Sequence, residues 1–400
     1  MNILSDRINK LSESETLAMT QKSRELQAQG HDVINLSIGE PDFNTPDTVK
    51  DFAKQAIDDN YTHYTPVSGY LDLRQAISNK FKRDNGLDYS PQQIVVSNGA
   101  KQSLANVVMS IINPGDEIIV PAPYWVSYKE IIKLADGKPV YINATVDQEF
   151  KVSAAQIEAA ITPKTKLLMF SSPCNPTGSV YTKEELKSIA EVIAKHENIF
   201  ILADEIYEHI NFVGKHESIG QFDCVKDRVI TVNGVSKGFA MTGWRIGFMG
   251  APLIIAKACD KLQGQITSAP SSIAQRATLC AVNCDPKQTP QIIDMVVAFK
   301  ERRDLLLDLL KDIPGLKTNT PDGAFYVFPD VTYYFGKSDG TITVNNADDL
   351  STYIIDKVYV ALVSGGAFGS PDCIRISYAT SKERLIEAVK RIKAALADLK

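Results

Sequence analysis

Cysteine is scarce in this sequence: only six of its 400 residues are cysteine, and no CxxC pair occurs. A disulfide framework is therefore not expected, and a chain of this length can bury a hydrophobic core without disulfide or metal staples. The five histidines show no metal-ligand spacing, so no metal site is expected. We expect the cysteines to be free thiols in a reducing compartment, the cytoplasm.

Long apolar runs and long runs of one charge are also missing. No stretch approaches the roughly 18 apolar residues of a membrane span, and the charges of Asp6, Arg7 and Lys10 interrupt any signal-peptide core. The 43 basic and 48 acidic residues give a net charge of −5, so neither nucleic acid nor a membrane is an expected partner. No GxxxxGK(S/T) motif occurs, which excludes a nucleoside-triphosphate P-loop.

The middle of the chain alternates short apolar runs with helical patterns. The runs are Gln93–Ser97, Glu117–Val120, Leu167–Phe170, Ile199–Ala203 and Val229–Val232. They are β-branched and apolar at successive positions, which is typical of buried parallel strands. Between them, Thr182 and Glu185 form a capping box that predicts a helix, and Thr45 followed by Pro46 predicts another. This alternation predicts a doubly wound α/β domain.

Both ends of the chain show a different pattern. The predicted elements there are helices over 13–29 and 288–312, strands at Ala324–Phe328 and Cys373–Tyr378, and a C-terminal helix with Leu385 to Leu399 on one face. Gly30 and Pro314 end the first two helices. We infer a second, α+β domain built from both ends. The predicted bounds are 1–44 for the N-terminal segment joining the small domain, 45–295 for the large domain and 296–400 for the small domain.

A lysine follows the last of the central strands within a run of small residues. Lys237 ends the segment Gly234–Lys237, and Arg245 follows eight residues later. A desolvated lysine has a lowered pKa and can form a Schiff base with a carbonyl compound, and an arginine can bind an anion through two hydrogen bonds. A lysine at a strand end can equally be an ordinary surface residue, so this motif alone leaves both interpretations open.

Polar residues also follow two other predicted strands. Asp204 comes directly after Ile199–Ala203, and Asn175 lies in Ser172–Gly178, after Leu167–Phe170. Ligands of open α/β sheets bind at the carboxyl ends of strands, where Asp204 could pair with a protonated ring nitrogen. The alternatives are a helix N-cap for Asp204 and simple turn chemistry for Asn175.

Three further features carry chemistry. The segment Ser97–Lys101 ends a strand and opens a helix, so its small residues leave backbone N–H groups accessible to a phosphate. Trp125 follows the strand Glu117–Val120 and could stack on a planar ligand or fill the core. Arg375 lies between apolar neighbours in a strand pattern, where it needs either an anionic ligand or a structural salt bridge.

These segments, taken together and in this order, resemble the class I aminotransferases, which are pyridoxal-phosphate enzymes of fold type I. The motifs that carry the resemblance are Gly39–Phe43, Asn175–Gly178, Asp204–Tyr207 and Gly234–Gly247. The resemblance runs from about Leu11 into the C-terminal helix. It implies an α/β fold whose large domain holds a mostly parallel sheet flanked by helices, with a smaller α+β domain. It also implies a cytoplasmic homodimer with shared active sites.

The resemblance assigns most of these residues to pyridoxal 5'-phosphate. Lys237 would hold the cofactor as a Schiff base and shuttle the proton as general base and acid. Asp204 would pair with the ring nitrogen, Asn175 and Tyr207 would bind the ring oxygen, and Trp125 would stack on the ring. The implied phosphate ligands are Gly99, Ala100, Lys101, Ser236, Arg245 and, from the second subunit, Tyr64.

The resemblance also implies a substrate. Arg375 would bind the α-carboxylate beside the Gly39 backbone N–H, with the side chains of Trp125 and Asn175 alongside. Lys101 and a hydroxyl-bearing segment with Ser14 and Thr16 match the aspartate aminotransferase branch whose members also include prephenate aminotransferases. Glu15 has no assigned role. The implied reaction moves the amino group of L-aspartate to 2-oxoglutarate (EC class 2.6.1), with prephenate as a further substrate.

Two alternatives use the same fold. One is an aromatic or aliphatic aminotransferase, or a β-lyase, because Lys101 could serve the phosphate alone. The other is a sensory module of a transcriptional regulator, which would need a DNA-binding domain ahead of Ser37. The short preceding segment and the net charge of −5 argue against that second alternative.

Overall fold

The computed structural model describes residues 3–13 and 15–400. The helices are α1 (Asp6–Asn9), α2 (Glu15–Ala28), α3 (Asp47–Asp58), α4 (Leu71–Lys80), α5 (Ala100–Ile111), α6 (Ser127–Leu134), α7 (Ala154–Ala160), α8 (Lys183–Ala194), α9 (Leu253–Ile266), α10 (Ser272–Asn283), α11 (Pro290–Lys311), α12 (Ala347–Val358) and α13 (Lys382–Ala397). The strands are β1 (Ile34–Asn35), β2 (Ile94–Ser97), β3 (Glu117–Ala122), β4 (Lys138–Asn143), β5 (Thr165–Ser171), β6 (Phe200–Asp204), β7 (Val229–Gly234), β8 (Gly247–Gly250), β9 (Tyr326–Val327), β10 (Val360–Ala361), β11 (Val363–Ser364) and β12 (Ile374–Ser377).

A seven-stranded sheet forms the centre of the molecule, with strand order β2-β8-β7-β6-β5-β3-β4. Strand β8 runs antiparallel to both of its neighbours, and the other strands run parallel to one another. The five strands predicted from apolar runs are all present in this sheet. The α/β fold class is therefore confirmed.

The two chain ends come together beside this sheet. Strand β1 pairs in parallel with β10, and β11, β12 and β9 form a separate antiparallel sheet. Ile34 and Leu36 lie in one hydrophobic core with residues of α12 and α13. Helix α11 runs across the predicted bound at 295. Ile292, before that bound, packs in a core of the central region, whereas Phe299, after it, packs in the C-terminal core. The three predicted domain ranges stay predictions.

A local signal located the start of α8, and one predicted helix start was wrong by a residue. The Thr182 hydroxyl accepts the Glu185 N–H, as the capping box predicted. Helix α3, however, begins at Asp47 with Pro46 as its cap, so Pro46 is not its first helical residue. The Thr45 hydroxyl instead donates to the Ala240 carbonyl oxygen at 2.8 Å, so a tertiary contact takes the place of the expected cap.

The sheet brings the chemically important segments to one edge. Because parallel strands end at the same edge, the residues that follow them meet there. Strand β8 runs the opposite way, so Arg245, two residues before its first residue, reaches the same edge. The residues placed there by strand ends are Gly99 after β2, Trp125 after β3, Asn175 after β5, Asp204 at the end of β6 and Lys237 after β7. Within the described ranges, no helix is long and apolar enough to cross a membrane.

Candidate active site

A cavity of about 280 Å³ opens at this edge of the sheet. The predicted site residues that line it are Thr16, Gly39, Ala100, Lys101, Trp125, Asn175, Asp204, Tyr207, Ser236, Lys237, Arg245 and Arg375. Two predicted residues, Gly99 and Tyr64, are not in its lining. Gly99 lies directly against the Arg245 guanidinium. Tyr64 is fully exposed on the surface of the chain.

Lys237 lines the cavity shortly after the end of β7. Its Nζ donates to the Gly39 carbonyl oxygen at 2.5 Å and lies 5.8 Å from the centre of the Tyr207 ring. Burial lowers the pKa of Lys237 to about 8, because removal from water disfavours the charged form. Lys237 therefore gives up its proton more readily than an exposed lysine does, as a nucleophile or a general base requires.

Asp204 is a buried carboxylate at the end of β6 with two hydrogen-bond donors. The Tyr128 hydroxyl donates to its Oδ2 at 2.8 Å, and the Ile206 N–H donates to its Oδ1 at 3.3 Å. Burial raises the pKa of Asp204 to about 6, and the two hydrogen bonds oppose that rise. The alternative role of Asp204 as a helix N-cap does not apply, because a non-helical turn follows it.

Arg375 is a buried cation on β12 that is only 2% exposed. Its two terminal nitrogens donate to Asn175 Oδ1 at 3.0 Å and to the Ser37 carbonyl oxygen at 2.6 Å. Its Nε has no hydrogen-bond partner, and it forms no ion pair with an acidic group of the described residues. The Tyr326 ring covers it at 4.5 Å. The structural salt bridge that sequence allowed is therefore not formed, and this guanidinium can accept an anion.

A glycine-dependent corner forms at the start of α5. Gly99 has φ +81, and a Cβ built there would lie 2.4 Å from an Arg245 nitrogen. A Cβ at Gly247 would lie 2.1 Å from the Ala100 backbone nitrogen. The start of α5 therefore packs against Arg245 and the start of β8, and Ala100, Ser236 and Arg245 line the same cavity. Such a set of donors and one cation suits a phosphate.

Lys101 and Thr16 also line the cavity. The Lys101 Nζ lies 5.0 Å from the centre of the Trp125 ring, a cation–π distance. Partial burial and the positive charge of Arg245 lower the pKa of Lys101. Thr16 belongs to the first turn of α2, so the N-terminal segment reaches the cavity. Ser14, which the sequence pattern grouped with Thr16, lies outside the described residues.

Two tyrosines that contact site residues were not predicted from the sequence. Tyr128 donates to Asp204, and the Tyr326 hydroxyl lies 2.8 Å from that of Tyr207. Tyr128 lies three residues beyond Trp125, in the first turn of α6. Its position shortly after the end of β3 could have predicted that it lies near the site. Tyr326 lies in a run of apolar residues on β9, where the sequence pattern indicated only a buried strand.

A buried ionic network includes Glu205, the residue that follows Asp204 in the chain. Asn85 donates to both Glu205 and Glu208, and the Lys80 ammonium contacts Glu208 and donates to Asn85. Two of the histidines left without a role belong to it. The residues that place ligand atoms within 4.8 Å of one another are Asp84, Glu208 and His209 in one group and Glu205, Glu208 and His216 in another. Lys80 already supplies positive charge to this cluster.

Comparisons with known proteins match the whole chain. The family model described as "Aminotransferase class I and II" matches residues 31–392. A Petunia hybrida protein named "Bifunctional aspartate aminotransferase and glutamate/aspartate-prephenate aminotransferase" is 45% identical over 99% of this chain and 83% of its own length.

Solved structures agree. The aspartate aminotransferase from Rhizobium meliloti superposes with a TM-score of 0.95 at 40% identity, covering 99% of both chains. The Thermus thermophilus aspartate aminotransferase solved with maleate gives a TM-score of 0.92 at 39% identity, covering 99% of this chain and 100% of that one. Shared motifs, fold and identity over nearly the full length lead to one conclusion: the chain belongs to the class I and II aminotransferase family.

Proposed function

We propose that this protein is a pyridoxal-phosphate-dependent aspartate aminotransferase. It would transfer the amino group of L-aspartate to 2-oxoglutarate, with prephenate as a further substrate. The observation that carries the proposal is the meeting of Lys237, Asp204 and Arg375 in one cavity at the carboxyl ends of the strands. An amine of lowered pKa, a buried carboxylate and an unpaired buried guanidinium are the three groups that amino-group transfer on this cofactor requires.

The residues present fit the cofactor. Asp204 would bind the ring nitrogen, since this buried carboxylate has two hydrogen-bond donors and no ion pair with a cation of residues 3–13 or 15–400. Asn175 uses its carbonyl oxygen on Arg375, so its amide group is free to donate to the ring oxygen together with Tyr207. The phosphate would lie in the corner formed by Gly99, Ala100, Lys101, Ser236 and Arg245. When bound, pyridoxal phosphate withdraws electrons from the substrate Cα.

Arg375 and Lys237 would divide the work on the substrate. Arg375 would bind the α-carboxylate beside the Gly39 backbone N–H, which fixes the direction of the Cα–H bond. Lys237 would remove the Cα proton and return a proton as general base and acid. A pKa of about 8 suits both tasks, because such an amine exchanges protons readily near neutral pH.

A second carboxylate on the substrate would lie near Lys101 and Thr16. The Lys101 ammonium provides a charge partner, and Thr16 provides a hydroxyl group from the N-terminal segment. The Thermus thermophilus aspartate aminotransferase was solved with maleate, which is a dicarboxylate. The names of the relatives, which include aspartate and prephenate, support the same class of substrate.

The first test is a half-reaction followed by absorbance. Purified protein loaded with pyridoxal phosphate receives L-aspartate and no keto acid. We expect conversion to the pyridoxamine phosphate form with release of oxaloacetate, and reversal when 2-oxoglutarate or prephenate is added. Binding of aspartate without accumulation of pyridoxamine phosphate would mean another amino donor or an elimination reaction. Failure to bind the cofactor at all would overturn the proposal.

Replacement of Lys101 tests substrate specificity. Lys101→Gln removes the charge near Thr16, so kcat/KM for L-aspartate should fall by about tenfold or more, as for loss of a charged hydrogen bond. The loss for a monocarboxylate amino acid should be clearly smaller. Lys101→Arg, which retains the charge, is the matched control. Equal losses for both substrates in Lys101→Gln would show that the lysine serves the phosphate alone.

We also infer that two chains share each active site. Tyr64 is fully exposed in the single chain and does not line the cavity, so a phosphate contact from it requires a second copy. This inference accounts for a predicted cofactor residue that one chain leaves on its surface. A mass in solution of one chain, 44.0 kDa, would contradict it.

A further inference from the structure

Tyr128 connects two residues of the site that the cofactor would contact. It lies in the first turn of α6 and is 1% exposed. Its hydroxyl donates to Asp204 Oδ2 at 2.8 Å. Its ring meets the Trp125 ring edge-on, with centroids 5.7 Å apart and an interplanar angle of 89°. One side chain therefore contacts both the buried carboxylate and the aromatic residue beside the cavity.

Asp204 depends on this hydrogen bond more than an exposed carboxylate would. Its other donor, the Ile206 N–H, is more distant at 3.3 Å. No cation of the described residues forms an ion pair with it. Burial already raises the pKa of Asp204 to about 6, so loss of a donor would favour the protonated form further.

Tyr128 is suited to remain the donor. Burial and the neighbouring Asp204 carboxylate raise the pKa of Tyr128 well above its ordinary value, so its hydroxyl keeps its proton. The Tyr128 hydroxyl donates to Asp204 Oδ2, and the backbone N–H of Ile206 donates to Asp204 Oδ1. The carboxylate plane is therefore fixed by two donors on two different elements, α6 and the turn after β6.

We propose that Tyr128 is a positioning residue that holds Asp204 ionised and oriented for the ring nitrogen of the cofactor while it fixes the Trp125 ring. This inference rests on the proposed function, in which Asp204 meets that nitrogen. Tyr128 itself acts through Asp204 and Trp125. Nothing in the motif Asp204–Tyr207 identifies it, because it lies 76 residues earlier in the chain.

The test is cofactor binding to Tyr128→Phe, which removes the hydroxyl and retains the ring. We expect the dissociation constant for pyridoxal phosphate to rise by about 10- to 100-fold, as for a lost hydrogen bond to a charged group. The absorbance spectrum of the bound cofactor should also shift at fixed pH. The control is Tyr181→Phe, another buried tyrosine whose hydroxyl accepts the Val152 N–H at 3.0 Å outside the cavity. It should change neither quantity.

A double variant separates positioning from general packing. In an Asp204→Asn background, Tyr128→Phe should weaken binding little further, because the two residues act as one unit. Full additivity of the two losses, or wild-type binding and spectrum in Tyr128→Phe, would overturn the inference. If Tyr128→Phe does not fold, Tyr128→His, which returns a donor, replaces it and should bind close to wild type; weak binding would contradict the inference. Failure of the wild-type protein to bind pyridoxal phosphate would instead refute the proposed function.

Discussion

Lys237→Ala is expected to abolish nearly all amino-group transfer while leaving the cofactor bound. The loss should be at least about 10²–10⁴-fold, the usual contribution of a positioned general acid and base. Asp204, Ser236 and Arg245 remain in place, so pyridoxal phosphate should still be retained on dialysis. The measurement is oxaloacetate formation from L-aspartate, normalised to bound cofactor.

The control for this variant is a lysine that does not line the cavity. Lys215 has a side chain that is 63% exposed, so Lys215→Ala should turn over aspartate like the wild type. Added methylamine can stand in for the missing amine and should restore part of the activity of Lys237→Ala. Near-normal turnover of Lys237→Ala without added amine would show that the reacting amine has been assigned to the wrong residue.

Of the variants proposed for this protein, Lys80→Met is expected to lower the free energy of unfolding most. It leaves the buried Glu208 without the ammonium that contacts it, and removing one partner of a buried pair typically costs about 3–5 kcal/mol. The free energy of unfolding from urea denaturation measures the loss. In Lys80→Met with Glu208→Gln, part of the loss should return, because no buried charge then remains unpaired. An unchanged free energy of unfolding in Lys80→Met would contradict this account.

The same variant should lose less stability in acid than the wild type does. Burial alone would raise the pKa of Glu208, but Lys80, His209 and His216 outweigh it and hold the pKa at about 2, below the ordinary 4.5. A carboxyl whose pKa is depressed on folding stabilises the protein above its unfolded pKa, and this stability is lost as the pH falls from 4.5 toward 2. Without Lys80, the pKa of Glu208 rises toward its unfolded value, so little of this stability is left to lose. The difference in free energy of unfolding between the wild type and Lys80→Met should therefore shrink as the pH falls from 4.5 toward 2.

The strands that position the site were predictable because their residues are apolar at successive positions. Strands β4 and β8 of the same sheet were not predicted, and the reason differs between them. Strand β4 lies at the sheet edge and has only exposed and half-buried residues, so it lacks a run of buried apolar positions. Strand β8 begins and ends with glycine, which strand patterns disfavour. Gly247 is nevertheless required there, because α5 passes too close for a side chain.

The candidate site was largely predictable for a topological reason. Residues that follow parallel strands converge at one edge, so Asn175, Asp204 and Lys237 could be grouped from local patterns and from the family resemblance. Tyr326 and the ionic network could not, because their partners are distant in sequence. Lys80 contacts Glu208 across more than a hundred residues, and a lysine in a helix ordinarily indicates a solvent-facing side chain.

The hydrogen bond between Arg375 and Asn175 has a thermodynamic consequence. The guanidinium proposed to bind the substrate α-carboxylate also holds the side chain proposed to bind the cofactor ring oxygen. A carboxylate bound to Arg375 changes the charge that the Asn175 carbonyl oxygen meets, so the two pockets are energetically coupled. Such coupling is reciprocal: whatever factor the bound cofactor adds to the affinity for a carboxylate, that carboxylate adds to the affinity for the cofactor.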